Sequence, residues 1–216
     1  YGKLNEQRAI QLIKFAVKKK INFFDTSNIY GAGKSEIRIG KALKNLNRQK
    51  LFLASKIGMM PHKPTQWRTP QNFNVNYLKK SFFQSLSRLD TDYLDLIQLH
   101  SPPVDVLKNK TKMKKILILL KTLKNKGLVN HLGVSVKSPN DAVFVIKNYK
   151  DFKFIQLNFN LMDQRAIDFD VFNLALSKNV NIISRTPLAF GFLSGKVKLK
   201  KKDDHRKKWD YKQINI

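Results

Sequence analysis

The sequence predicts an α/β fold built on a parallel sheet, and three observations carry that prediction. Strand-like apolar runs alternate with helix-like segments along all 216 residues, with no Pro/Gly/Ser-rich linker between them. Successive runs begin roughly 22 to 43 residues apart, the spacing of repeated strand–helix units. The runs are continuous in apolar character, as strands covered on both faces require. A closed barrel and an open doubly wound sheet both satisfy these observations.

The first helix carries Ile10, Ile13 and Val17 on one side and leads into the strand INFFDTS. Ser35 is expected to cap the second helix, with Glu36 in its first turn where a negative charge suits the helix dipole, and Ile39, Leu43 and Leu46 form its apolar stripe. LFLASKI reads as the next strand. A longer loop from Met59 to Asn76 holds three prolines and Trp67, after which Leu78, Phe82, Leu86 and Leu89 mark a helix. Trp67 and Phe73 are candidates either to line a pocket or to pack within that loop. The strand LDLIQLH follows, and beyond SPP one helix is expected through Lys126, stopped by Gly127. The remaining elements are HLGVSV, a helix over about Pro139 to Asn148, FIQLNFN, a helix over about Phe169 to Ser177, and VNIISRTPL. Six strands separated by helices result.

Composition removes several classes of function. No cysteine is present, which excludes disulfides, thiolate metal sites and cysteine nucleophiles, and permits a reducing compartment. The histidines at 62, 100, 131 and 205 are scattered without helical metal-ligand spacing, so no metal is expected. The longest aliphatic run, ILILL at Ile116 to Leu120, is far short of the roughly 20 residues that span a bilayer. A soluble, cytoplasmic protein without a membrane partner is the expectation.

The formal charge of +27 raises nucleic acid as a partner. Lysines, however, recur along nearly every helical segment, as in MKKILILLKTLKNK at 113 to 126, where apolar residues keep their own helical spacing. That pattern describes solvated outer faces, and no specific nucleic acid is expected. The one dense basic run is KVKLKKKDDHRKK, beginning at Lys196.

Four polar residues interrupt or follow the apolar runs: Asp25, Tyr30, Lys56 and His100. In a parallel sheet the C-terminal strand ends share one face, so an acid, a phenol, an amine and an imidazole can meet in one pocket there. GAGKS at Gly31 to Ser35 sits where a phosphate-binding loop would, yet the glycine that opens such a loop is replaced by Asn28. No strand is followed by GxGxxG either.

These residues resemble the aldo-keto reductase family. INFFDTSNIYGAGKSEIRIGKAL is similar to its aspartate–tyrosine signature, SLSRLDTDYLDLIQLHSPP to the segment ending in its histidine, and SRTPLAFGFLSGK to its cofactor loop. The resemblance implies a (β/α)8 TIM barrel that binds NADP(H) in an extended pose, and reduction of an aldehyde or ketone to an alcohol. It implies a tetrad of Asp25, Tyr30, Lys56 and His100. Tyr30 would donate a proton to the carbonyl oxygen, Lys56 would favour the phenolate and so lower a phenol pKa that is ordinarily near 10, and Asp25 would hold the ammonium in place. His100 would hydrogen-bond and orient the substrate oxygen.

For the cofactor, the resemblance places Asp25 beside the nicotinamide and Ser135 and Gln156 on its carboxamide. Where the family often has Ser-Asn, this chain has Ser135-Val136, which removes one amide partner. Arg185 stands where many members stack a tyrosine on the nicotinamide, and a planar guanidinium also stacks. Thr186, Leu188, Phe190 and Gly191 match the loop that passes the pyrophosphate.

Counted against such a barrel, the chain reads as a single domain over 1–216 lacking the first and last strands, with an open seam between two unpaired edges. The segment that grips the adenosine 2′-phosphate falls outside it, so preference for NADP(H) over NAD(H) is not set by these residues. A non-catalytic nucleotide-binding regulatory subunit of the same fold, like the β-subunits of potassium channels, is the alternative, as is an inactive fragment. Substrate identity and oligomeric state stay open.

Overall fold

The computed structural model describes residues 5–61 and 69–195. His62, Trp67, His205 and the basic run from Lys196 lie outside the described residues. The first elements are α1 (Glu6–Lys18), β1 (Phe23–Asp25), α2 (Lys34–Leu43), β2 (Phe52–Ile57), α3 (Val75–Leu89) and β3 (Leu94–His100). They are followed by α4 (Val104–Lys108), α5 (Lys110–Asn125), β4 (Val129–Ser135), α6 (Pro139–Asn148), β5 (Phe154–Asn158), α7 (Arg165–Asp168), α8 (Val171–Ser177) and β6 (Asn181–Arg185). A short 3-10 segment, Ala189–Ser194, closes the described chain. Among the described residues no helix is long and apolar enough to cross a membrane.

Local chemistry explains where the elements depart from the expected ones. The single helix expected after SPP is two, because Asn109 leaves helical geometry and its side-chain oxygen accepts from the Lys112 amide to cap α5. Asp170, in the left-handed region at φ 51°, likewise separates α7 from α8. Ser35 is not a cap. Gly31, Ala32 and Gly33 all take positive φ, Gly33 is the capping position, and Ser35 sits inside α2 with its hydroxyl accepting from Thr26 Oγ1 at 2.8 Å. Leu46 falls beyond the end of α2 and is exposed.

The six strands form one sheet in the order β1-β2-β3-β4-β5-β6, and every pairing is parallel. The edge strands β1 and β6 pair on one side only among the described residues, as the strand count predicted. Strand spacing of about 4.8 Å would hold β2 and β5 about 14 Å apart in a flat sheet. The rings of Phe52 on β2 and Phe154 on β5 nevertheless have centroids 5.9 Å apart, and His131 on β4 lies 6.2 Å from Phe52. The sheet is therefore curled, with these rings on its concave side, into six strands of a (β/α)8 barrel.

Side chains alternate across the curled wall. Leu53, Ile57, Ile97, Leu99, Leu132, Val134, Ile155 and Leu157 point outward into one core with helix residues such as Leu78, Phe82, Ile116, Leu120 and Val145. The concave side keeps Phe52, His131 and Phe154 at its N-terminal end, where they fill the barrel floor.

Glu36 stands in the first turn of α2, as expected, and its side chain turns inward. It is fully buried, accepts from Ser55 Oγ at 2.6 Å and from Arg88 Nε at 2.7 Å, and so ties α2 to β2 and α3. Removing one partner of a buried pair costs about 3–5 kcal/mol when the other is left without compensation. Arg88 keeps some contact with water, so Glu36→Ala is expected to destabilise the fold by about 3 kcal/mol, read as a lowered midpoint in urea unfolding.

Candidate active site

Register fixes which residues share the concave side. Asp25 pairs with Ala54, Lys56 with Gln98, Gln98 with Gly133, His100 with Ser135, Ser135 with Gln156, and Asn158 with Arg185. Paired residues of a sheet point the same way, so this ladder of polar side chains lies on the face that carries Phe52 and Phe154 and toward the strands' C-terminal ends.

Lys56 is fully buried, a costly place for an ammonium group. Its Nζ donates to Asp25 Oδ2 at 2.5 Å and to the Thr26 carbonyl at 2.9 Å. The other carboxylate oxygen, Asp25 Oδ1, accepts from Gln98 Nε2 at 3.0 Å. Three neighbouring strands are thus joined through one carboxylate. Tyr30, on the turn after β1, places its ring centroid 5.1 Å from Lys56 Nζ and 5.9 Å edge-on from the His100 ring. Tyr30 remains 39% exposed, so its ring fronts the open end of the site.

His100 is nearly buried, and its Nδ1 lies 3.0 Å from Ser27 Oγ. Burial first, and then the positive charges of Lys56, Arg185 and Lys137, push its pKa down from 6.5 to about 3. The ring is neutral at physiological pH, a point the sequence left open.

The residues expected to hold a nucleotide fall into two groups. Ser135 Oγ donates to Gln156 Oε1 at 3.3 Å and accepts from Arg185 Nη1 at 3.3 Å, while Arg185 Nε donates to Asn158 Oδ1 at 2.8 Å. Burial lowers the Arg185 pKa from its ordinary value, opposed by Tyr30 and Asp25. Thr186 joins this group through its hydroxyl, which faces Asn158 Oδ1 at 3.3 Å. Leu188, exposed, and Gly191, at φ 97°, lie farther along the loop after β6. A cavity of about 380 Å³ lined by Asn158, Asn160, Met162, Thr186 and Phe190 runs beside them.

Val136, where the family often has asparagine, is buried in the outer core. Phe73 is settled as packing. It is 3% exposed and fills the space over Gly58, where an added Cβ would lie 2.4 Å from the ring. Sequence reasoning missed Gln98, Asn158, Ser27 and Asn28. Gln98 and Asn158 were recoverable, since each stands two residues from a chosen site residue on the same strand, and period-two alternation returns them to the same face. No sequence signal marked Ser27 or Asn28.

The chain matches the Aldo/keto reductase family over residues 1–215. It is 32% identical over 193 residues to the probable aldo-keto reductase 1 of Glycine max, covering 89% of this chain and 53% of that protein. It is 28% identical over 205 residues to the aldo-keto reductase yakc [NADP(+)] of Schizosaccharomyces pombe, covering 92% of this chain and 57% of that protein. Among solved structures, the holo form of aldo-keto reductase AKR11C1 from Bacillus halodurans superposes with a TM-score of 0.79 at 27% identity, covering 98% of this chain and 67% of that one. The chain thus spans a little over half the length of these two curated relatives.

The depressed His100 pKa has a measurable consequence for stability. Below pH 6.5 the unfolded chain takes up a proton that the folded chain refuses until about pH 3. Stability attributable to this residue is therefore complete above pH 6.5 and falls as pH drops toward 3, by about 1.4 kcal/mol per pH unit. Urea unfolding of wild type and His100→Gln across that window is expected to give a shallower pH dependence for the variant.

Proposed function

The chain belongs to the aldo/keto reductase family, and on that premise we propose that it carries the active site of an oxidoreductase that interconverts a small aldehyde or ketone with its alcohol, using NADP(H). The observation that carries this reading is the buried Lys56 ammonium, paired with Asp25 and set 5.1 Å from the Tyr30 ring with His100 alongside.

The residues present fit the nicotinamide. Among the described residues Gln156 bonds through its oxygen, toward Ser135, which leaves its amide N–H groups for a carboxamide oxygen, and the Ser135 hydroxyl lies beside them. The Arg185 guanidinium, held by Asn158 and Ser135, offers a flat surface for the ring. Thr186, Leu188 and Gly191 would follow the pyrophosphate, and Asp25 would lie near the ring. Bound there, NADPH supplies the hydride for the carbonyl carbon.

The chain's own groups handle the proton. Tyr30 donates from its hydroxyl to the carbonyl oxygen as negative charge develops there. The Lys56 ammonium faces the phenolate left behind and stabilises it, and Asp25 keeps that ammonium in place. His100, neutral, offers one hydrogen bond to the reacting oxygen and orients it. A reducing, cytoplasmic compartment is part of this reading, which the absence of cysteine permits without demanding.

In the full-length protein, Tyr30→Phe is expected to lower kcat for carbonyl reduction by about a thousandfold while NADPH still binds, as quenching of protein fluorescence would report. Undiminished reduction by the variant would overturn the assignment.

A further inference from the structure

The helix layer outside the sheet carries a groove that the concave site does not use. It lies between α5 and the end of α6 and has a volume of about 760 Å³. Its apolar lining is Leu117 and Ile118 from α5 with the rings of Phe144 and Tyr149. The Tyr149 hydroxyl donates to the Leu107 carbonyl, so its polar end is already satisfied and its ring adds to the apolar surface. The basic lining is Lys108, at the end of α4, with Lys110, Lys114 and Lys121 along α5.

The sequence of α5 builds two faces. Met113, Ile116, Leu120 and Leu123 are buried in the outer core. Lys110, Lys114, Leu117, Ile118 and Lys121 stand at i, i+4, i+7, i+8 and i+11, which brings them together on a second face. Ile118 is 57% exposed there, an aliphatic side chain in water among ammonium groups. Asp151 is the one acidic residue in the lining, and Lys121 takes it at 3.2 Å. Lys108, Lys110 and Lys114 have no ion-pair partner among the described residues. The fold gains little from these charges, because α5 opens on Lys110 and Lys112 with no acidic residue in its first turn, at the helix end that disfavours cations.

We propose that this groove docks an amphipathic helix of a partner protein, its apolar stripe on Leu117, Ile118, Phe144 and Tyr149 and its acidic flanks on the lysine rim. From Lys110 to Lys121 the rim runs roughly 17 Å along α5, enough to face about three turns of a guest helix. Charge selects the class of partner. A second copy of this chain presenting the same face would set lysines against lysines. A nucleic acid would satisfy the rim and leave the apolar lining wet, and a flat bilayer would meet the lysines before the groove between the helices. The groove lies on the opposite side of the sheet from Lys56 and His100, so an occupant leaves the concave side open.

The probe is a fluorescein-labelled synthetic helix with leucines at i, i+3, i+4 and i+7 and glutamates on both sides of that stripe, titrated with the full-length protein by fluorescence anisotropy. A shuffled peptide of the same composition keeps the charge and loses the stripe. The striped peptide is expected to bind, and the shuffled one to bind about tenfold more weakly. Ile118→Ser and Lys114→Glu, both at exposed positions, are each expected to weaken the striped peptide about tenfold while thermal unfolding is unchanged. No binding of the striped peptide, equal binding of the two peptides, or full affinity in Ile118→Ser would overturn the proposal. Phosphatidylserine vesicles or a DNA duplex that displace the striped peptide and bind Ile118→Ser undiminished would also overturn it, and would give this face to a membrane or to nucleic acid.

Discussion

A lysine ammonium with no exposure to solvent is the constraint around which the concave side of this sheet is organised. Taking that charge out of water costs several kcal/mol unless an opposite charge and further acceptors replace the lost hydration. Asp25 and the Thr26 carbonyl do so from β1 and the residue after it, and Gln98 on β3 holds the far oxygen of the same carboxylate. The charge therefore dictates the end of β1, and with it the start of the turn that carries Ser27, Asn28 and Tyr30. Replacing Asp25 alone would leave the ammonium stranded, so fold and chemistry share this interaction.

The curled wall divides the work between its two faces. Outward residues such as Leu53, Ile97 and Val134 belong to one apolar core with the helices, and their burial supplies the stability. Inward residues hold rings at the floor and polar groups toward the C-terminal ends, where the ladder from Lys56 and Gln98 through His100, Ser135 and Gln156 rises to Arg185. The stagger of the strands makes that ladder climb across the wall. Polar residues of sequence-distant origin meet because the register, rather than any local motif, aligns them.

Much of this was legible in the sequence because period and punctuation are local. The runs ending at Lys56 and His100 gave the strands β2 and β3 to within a residue, and the four polar side chains that lie near one another at the strands' C-terminal ends stood at or just beyond apolar runs. What escaped depended on contacts over distance. The first-turn place of Glu36 was legible, but its burial against Ser55 and Arg88 was not, because those partners are brought to it by the fold. Ser35 reads as a cap until the glycine turn before it takes that role. Asn109 reads as one residue of a long helix, although its short side chain competes for the backbone and restarts the helix one residue later. The partnership of Ser27 with His100 joins residues 73 apart, beyond any pattern along the chain.

The central claim is that Tyr30, Lys56, Asp25 and His100 surround one reacting oxygen. A crystal structure of the full-length protein with the oxidised nucleotide and an alcohol tests it most directly. The account predicts the alcohol oxygen within about 3 Å of the Tyr30 hydroxyl and in hydrogen-bond reach of His100, with the nicotinamide carboxamide on Ser135 and Gln156. A nucleotide seated elsewhere, or an alcohol oxygen remote from Tyr30, would contradict it.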